Sequence, residues 1–205
     1  MGKAAKKKNQ LAMRKSRVID WLSQLDHHEQ IVSMVAITAL ERLVLPQQMT
    51  RGCYYLAFFL RQFLKDAFGI QVEMVVGWVD DTPLPVSHAW IEFNGKKTDI
   101  SLGAALKPNG DLAAPVIIHD FAYRTGGFDL LYLKEISDAA RMVQAEASVD
   151  PHFGPIYRQQ EADRQKILAW CASPTGTADY FATAEDPELR YESMALFLKD
   201  ALLNR

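Results

Sequence analysis

The order of elements along the chain predicts an α+β fold in which a central, cysteine-bearing helix packs on an antiparallel sheet between N- and C-terminal helices. Three observations predict it. Apolar residues recur at helical spacing before residue 46 and again after residue 135. Between these regions an Asn94-Gly95 pair joins two β-rich segments, the preferred signal for a type I′ hairpin. Ahead of the sheet, Tyr54, Tyr55, Leu56, Phe58, Phe59, Leu60, Phe63 and Leu64 cover most of a helix's circumference, which marks a buried element.

Taken in order, Ile19, Leu22, Leu25, Ile31, Val35, Leu40, Leu43 and Val44 set a helical pattern from about Val18 to Leu45, broken near Asp26-His27-His28 and ended by Pro46. The linker QQMTRG leads into the Cys53 helix, which runs to about Ala67 with Gly69 as its C′ glycine. IQVEMVVGWV (70–79) reads as a strand and DDTPLP as a loop. VSHAWIEF (86–93) and KKTDISL (96–102) form the hairpin, and after the KPNGD loop APVIIHDFAYR (114–124) reads as one strand. A Gly126-Gly127 turn and a shorter strand around DLLYL close the sheet. Helical pattern resumes at Ile136, interrupted at Asp150-Pro151 and CASPTGTAD, and ends with PELRYESMALFLKDALL (187–203). The organisation expected is a basic tail (1–17), a core (18–135) and a helical extension packed on it (136–205).

With 205 residues, 49% hydrophobic and 23% charged, the composition is that of an ordinary globular protein, and a net charge of −2 gives no overall attraction to nucleic acid or membrane. Locally, MGKAAKKKNQLAMRKSR carries Lys3, Lys6, Lys7, Lys8, Arg14, Lys15 and Arg17 and no acid. It reads as a solvated tail, suited at most to a weak contact with nucleic acid or an acidic partner. No apolar core of a secretory signal follows it, and no apolar run reaches the roughly 18 residues of a membrane span. Cys53 and Cys171 match no metal-ligand spacing, so free thiols in a cytoplasmic setting are expected, with neither metal nor cofactor. His27-His28 lacks further ligands and reads as helix surface; Cys171 lacks an acid–base partner and reads as buried. His119 and Asp120, adjacent on one strand, point to opposite faces.

The hairpin permits a geometric deduction. With Asn94-Gly95 at the turn, Phe93 faces Lys96, Glu92 faces Lys97, Trp90 faces Asp99 and His88 faces Ser101. His88, Trp90, Glu92, Lys97, Asp99 and Ser101 then share one face, with Glu92 and Lys97 as a cross-strand ion pair. His88 and Asp99 become diagonal neighbours, at about 7 Å or less between Cβ atoms. A carboxylate there fixes the tautomer of an imidazole and stabilises its charged form. Cys53 adds a thiol at a helix N-terminus, where unpaired amides and the macrodipole favour the thiolate. Its own N–H suits a developing oxyanion, and Gly52 removes bulk where a substrate would approach.

GCYYLAFFLRQFLKDAFGIQVEMVVGWV, SHAWIEF and NGKKTDISLG together resemble the transglutaminase-like core of the papain-like cysteine enzymes. The resemblance covers residues 50–103, about a quarter of the chain, and His-Ala-Trp followed by an apolar–acid pair is its most distinctive part. It implies Cys53 as nucleophile, His88 as general base and then acid, and Asp99 as the orienting residue. Gln47 stands six residues before Cys53, the offset at which papain-like peptidases place an oxyanion glutamine; Gln48 is a second candidate, and either also fits a polar linker. Trp90 either lines the substrate channel or packs beside His88. The compact hairpin also resembles the leader peptidases that process lasso peptides, from which the long C-terminal extension departs.

The function expected is cysteine-dependent acyl transfer on a protein or peptide, hydrolysis of a peptide or isopeptide bond first, transglutamination or deamidation next. The competing expectation is a binding or scaffold protein that keeps the fold without the chemistry.

Overall fold

The computed structural model describes residues 16–50, 52–80, 86–104, 114–127, 130–184 and 186–204, apart from the Asp80 side chain. All but the last two residues of the basic tail, most of the DDTPLP loop and the KPNGD loop lie outside these.

A helical stretch over 16–22 ends before Asp26, which starts α1 (His27–Ala39) with a reciprocal cap. The Asp26 carboxylate accepts the Glu29 N–H at 2.8 Å, and Glu29 accepts the Asp26 N–H at 3.1 Å. A π-helical turn, Leu40–Val44, continues α1 to the Pro46 turn. α2 (Cys53–Phe68) stops at Gly69, whose φ of +68° is left-handed. There Gly69 N–H bonds to Lys65 C=O and Ile70 N–H to Leu64 C=O, closing the helix as the glycine predicted.

The four-stranded antiparallel sheet has the order β3-β2-β1-β6, from β1 (Glu73–Asp80), β2 (Val86–Phe93), β3 (Lys96–Thr98) and β6 (Leu131–Leu133). Asn94 and Gly95 both have positive φ, 52° and 72°, as a type I′ turn requires, and Phe93 pairs with Lys96 and Glu92 with Lys97. The third strand is shorter than expected. After Thr98 the chain leaves β2, and Asp99 exchanges both backbone hydrogen bonds with Ile117 (2.8 and 3.0 Å).

The segment 114–124 is not one strand. β4 (Val116–Ile118) and β5 (Phe121–Arg124) form a separate hairpin whose turn is His119-Asp120, with φ of 48° and 59°. The two residues tolerate the left-handed region without being glycine, which is why the turn carries little sequence signal. His119 is buried there, its Nε2 3.1 Å from the Glu29 carbonyl oxygen.

α2 lies on β2 and β1 and forms the centre of the core. Phe58, Phe59 and Phe63 are fully buried against residues of α1, Ala89, Ile91, Ile100, Val116 and Ile118. The C-terminal region comprises α3 (Asp138–Val149), α4 (Gly154–Ala172), α5 (Gly176–Ala182), a 3₁₀ turn (Pro187–Leu189) and α6 (Tyr191–Leu203). Ile167, Phe181, Met194, Ala195 and Leu198 from these helices join the same hydrophobic cluster. Among the described residues, no helix is long and apolar enough to cross a membrane.

Gly77 is a tight point in the sheet. A Cβ there would sit 2.3 Å from the Leu133 carbonyl oxygen and 2.6 Å from the Trp90 indole. Gly77→Ala is expected to destabilise the fold by about 1–3 kcal/mol, read from the midpoint of urea unfolding. An unchanged midpoint would contradict this packing.

Candidate active site

Three elements bring the site together. α2 presents Cys53 at its first residue, half-buried, and β2 presents His88. The switch of partner after Thr98 carries Asp99 to the same place, 2% exposed. His88 Nε2 and Asp99 Oδ2 are 2.7 Å apart, so the diagonal proximity deduced from the hairpin is realised as a direct contact. The Cys53 thiol lies close enough to His88 to favour its charged form. With Nε2 committed to Asp99, Nδ1 is the nitrogen left for the thiol. Sulfur, imidazole and carboxylate are therefore gathered at one place.

Asp99 is satisfied on both oxygens. Oδ1 accepts the Ser101 N–H (2.9 Å) and the Ser101 hydroxyl (2.7 Å), while Oδ2 also accepts the Tyr132 hydroxyl at 2.6 Å. Burial alone would favour the neutral acid, but the His88 charge and the hydrogen bonds from His88, Tyr132 and Ser101 outweigh it. Asp99 is held below the usual carboxylate range. Burial also works against charge on His88; Asp99 and, less strongly, Cys53 overcome it and push the imidazole up to about 10. The resting state at neutral pH is thus an imidazolium facing a carboxylate.

These shifts set a pH dependence of stability. His88 contributes stability that is complete below its unfolded value near 6.5 and is lost as pH rises through about 10. Asp99 contributes stability present above its ordinary value of 3.8 and lost as pH falls through its depressed one. Between pH 6.5 and 10 the folded state holds the extra proton, so the unfolding free energy should decline with rising pH. His88→Gln should flatten that decline, and identical slopes for the two proteins would contradict the pairing.

Tyr132, on β6, was not singled out by the sequence. Its ring meets Trp90 edge-on at 5.3 Å and His88 at 6.0 Å, with the Lys97 ammonium 4.8 Å above it. Burial and then the Asp99 charge raise its phenol far above the ordinary value, so it stays a hydroxyl donor. The ion pair expected between Glu92 and Lys97 does not form. Lys134 reaches Glu92 at 2.7 Å and Lys97 turns to Asp120 at 3.1 Å, because β6 and the β4–β5 turn supply closer partners.

Of the remaining candidates, Trp90 is 2% exposed and donates its indole N–H to Glu92, which makes it a packing residue and not a channel wall. Gly52 is the N-cap, at φ −91°; a Cβ would meet Leu56 and Met49 at ordinary distances of 3.7 and 3.8 Å. The fold itself does not demand glycine at 52. Gln47 stands on an exposed turn, and among the described residues no hydrogen bond ties its side chain to the triad. The first amides of α2 have no acceptor within the helix and lie beside Cys53. Cys171 is half-buried, with its sulfur 3.7 Å from that of Met74. Among the described residues no three His, Cys, Asp or Glu side chains are placed to hold a metal ion.

Searches of family models, curated proteins and solved structures found no match to this chain.

Proposed function

We propose that the protein is a cysteine-dependent acyl-transfer enzyme that hydrolyses an amide or isopeptide bond of a peptide or protein. The single observation that carries this reading is the Cys53–His88–Asp99 chain, with its thiol at a helix N-terminus and its carboxylate buried and fully hydrogen-bonded. The resemblance of residues 50–103 to the transglutaminase-like core of papain-like enzymes supports it.

The proton to be given to the leaving group already rests on His88, and Sγ attacks the acyl carbon to give a tetrahedral oxyanion, stabilised by amides at the start of α2. The C–N bond breaks as the imidazolium gives its proton to the leaving amine, leaving a thioester on Cys53. Water then gives a proton to His88 and its oxygen to the acyl carbon. The acid departs and Sγ is freed, with the proton back on His88. Asp99 remains ionised throughout, holding His88 in orientation.

p-Nitrophenyl acetate tests this without knowledge of the natural substrate. A burst of p-nitrophenol with one acetyl group on Cys53, by peptide mass spectrometry, is the expected result. Acetylation of Cys171 and lysines at the same rate as Cys53 would contradict the reading.

A further inference from the structure

Beside the triad, a groove of about 480 Å³ opens between the sheet and helices α3 and α4, lined by residues including Trp78, Ser87, Arg141, Ser148, Tyr157 and Arg158. A second hollow of about 460 Å³ shares Trp78, Arg141, Gln144 and Glu161 with it and adds Lys134 and Arg164. Each lies within the size range of ligand sites.

One wall of the first groove is tied to residues next to the triad in sequence. Ser87, in its wall, precedes His88 and lies 2.6 Å from the Tyr54 hydroxyl, oxygen to oxygen, and Tyr54 follows Cys53. Tyr54 also feels the charges of Cys53, Arg164 and Glu161, so it lies within electrostatic reach of both the sulfur and the groove.

Its charges are unevenly neutralised. Lys134 is paired with Glu92 at 2.7 Å, and Arg164 lies over the Trp78 ring with Glu161 at 3.4 Å. Arg158 donates to the Ser148 carbonyl at 2.6 Å, a neutral partner. Arg141 has its carboxylate neighbours, Asp138 and Glu135, only at 3.8 and 3.9 Å, both on well-exposed side chains. Among the described residues, Arg158 has no carboxylate partner and Arg141 only long ion pairs to exposed carboxylates, both beside the largely buried Trp78 indole.

We propose that this groove binds an extended acidic segment of the peptide substrate, with carboxylates at Arg141 and Arg158 and backbone or apolar parts over Trp78. The segment delivers the reacting bond past Ser87 and Tyr54 to Cys53. Only that last step rests on the acyl-transfer reading; recognition does not need the thiol.

The test uses the full chain carrying Cys53→Ser and two fluorescein-labelled peptides of equal length, one alternating Gly and Glu and the other Gly and Lys. Anisotropy at low ionic strength should show saturable binding of the Glu peptide and little of the Lys peptide, weakened by salt. Arg141→Glu with Arg158→Glu should weaken binding at least about tenfold. Ala145→Trp, which fills the groove from an exposed position without changing charge, should do the same. In the wild type, the Glu peptide should also slow iodoacetamide alkylation of Cys53 but not of Cys171. Equal binding of the two peptides, or binding indifferent to both the Arg141/Arg158 and Ala145 variants, would overturn the proposal. Glu-peptide binding to a protein whose Cys53 shows no His88-dependent reactivity would sink the chemistry and leave the groove standing. A reactive Cys53 with no acidic-peptide binding would do the reverse.

Discussion

Asp99→Ala is expected to lower stability by about 3–5 kcal/mol, the range for removing one partner from a buried charged pair. The Asp99 side chain accepts from His88, Tyr132, Ser101 N–H and the Ser101 hydroxyl, and alanine strands all of them in a dry site. Asp99→Asn separates the fold from the chemistry. Asparagine fills the space but presents one carbonyl oxygen and one NH₂; with the oxygen accepting from His88 and Tyr132, the NH₂ meets the Ser101 N–H, donor against donor. Stability should fall less than in Asp99→Ala, while Cys53 acylation should drop by up to about 10⁴-fold, as expected when a base histidine loses its orienting carboxylate. Urea unfolding and the p-nitrophenol burst read the two effects. A burst in Asp99→Asn within a few-fold of the wild type would remove the orienting role.

The second large effect is non-additive. His88→Gln keeps an N–H donor for Asp99 but has no base, and Cys53→Ser keeps the shape but not the sulfur. Each alone should reduce acyl transfer by about 10⁴–10⁶-fold, and the double variant should be no worse than the poorer single one, because the two residues act as a unit. Losses that multiply would mean two independent contributions and no shared proton path.

Much of this site was legible because its strongest constraint is local. Asn94-Gly95 sets the turn, and the turn sets the register as far as Ile91–Thr98, one residue short of Asp99. Gly69 likewise ends α2 through its own backbone freedom. What stayed hidden depends on distant pairing. Tyr132 reaches Asp99 only because β6 pairs with β1, and a short strand carries no sequence signal for its neighbour. Lys97 had an acidic residue directly opposite on the hairpin but found Asp120, brought close by a turn that contains no glycine. The departure of Asp99 from β2 was equally unreadable, since the Ile117 backbone that captures it belongs to another hairpin.

Selective alkylation tests the central claim most directly. Iodoacetamide should modify Cys53 at about pH 6, where an unassisted thiol near 8.5 is almost wholly protonated. Cys171, whose thiol burial pushes up against a smaller effect from Arg61, serves as the internal control. Cys53 is expected to react at least about tenfold faster than Cys171 at that pH, and His88→Gln should remove the advantage. A Cys53 that reacts no faster than Cys171, or equally fast without His88, would contradict the thiol–imidazole–carboxylate account.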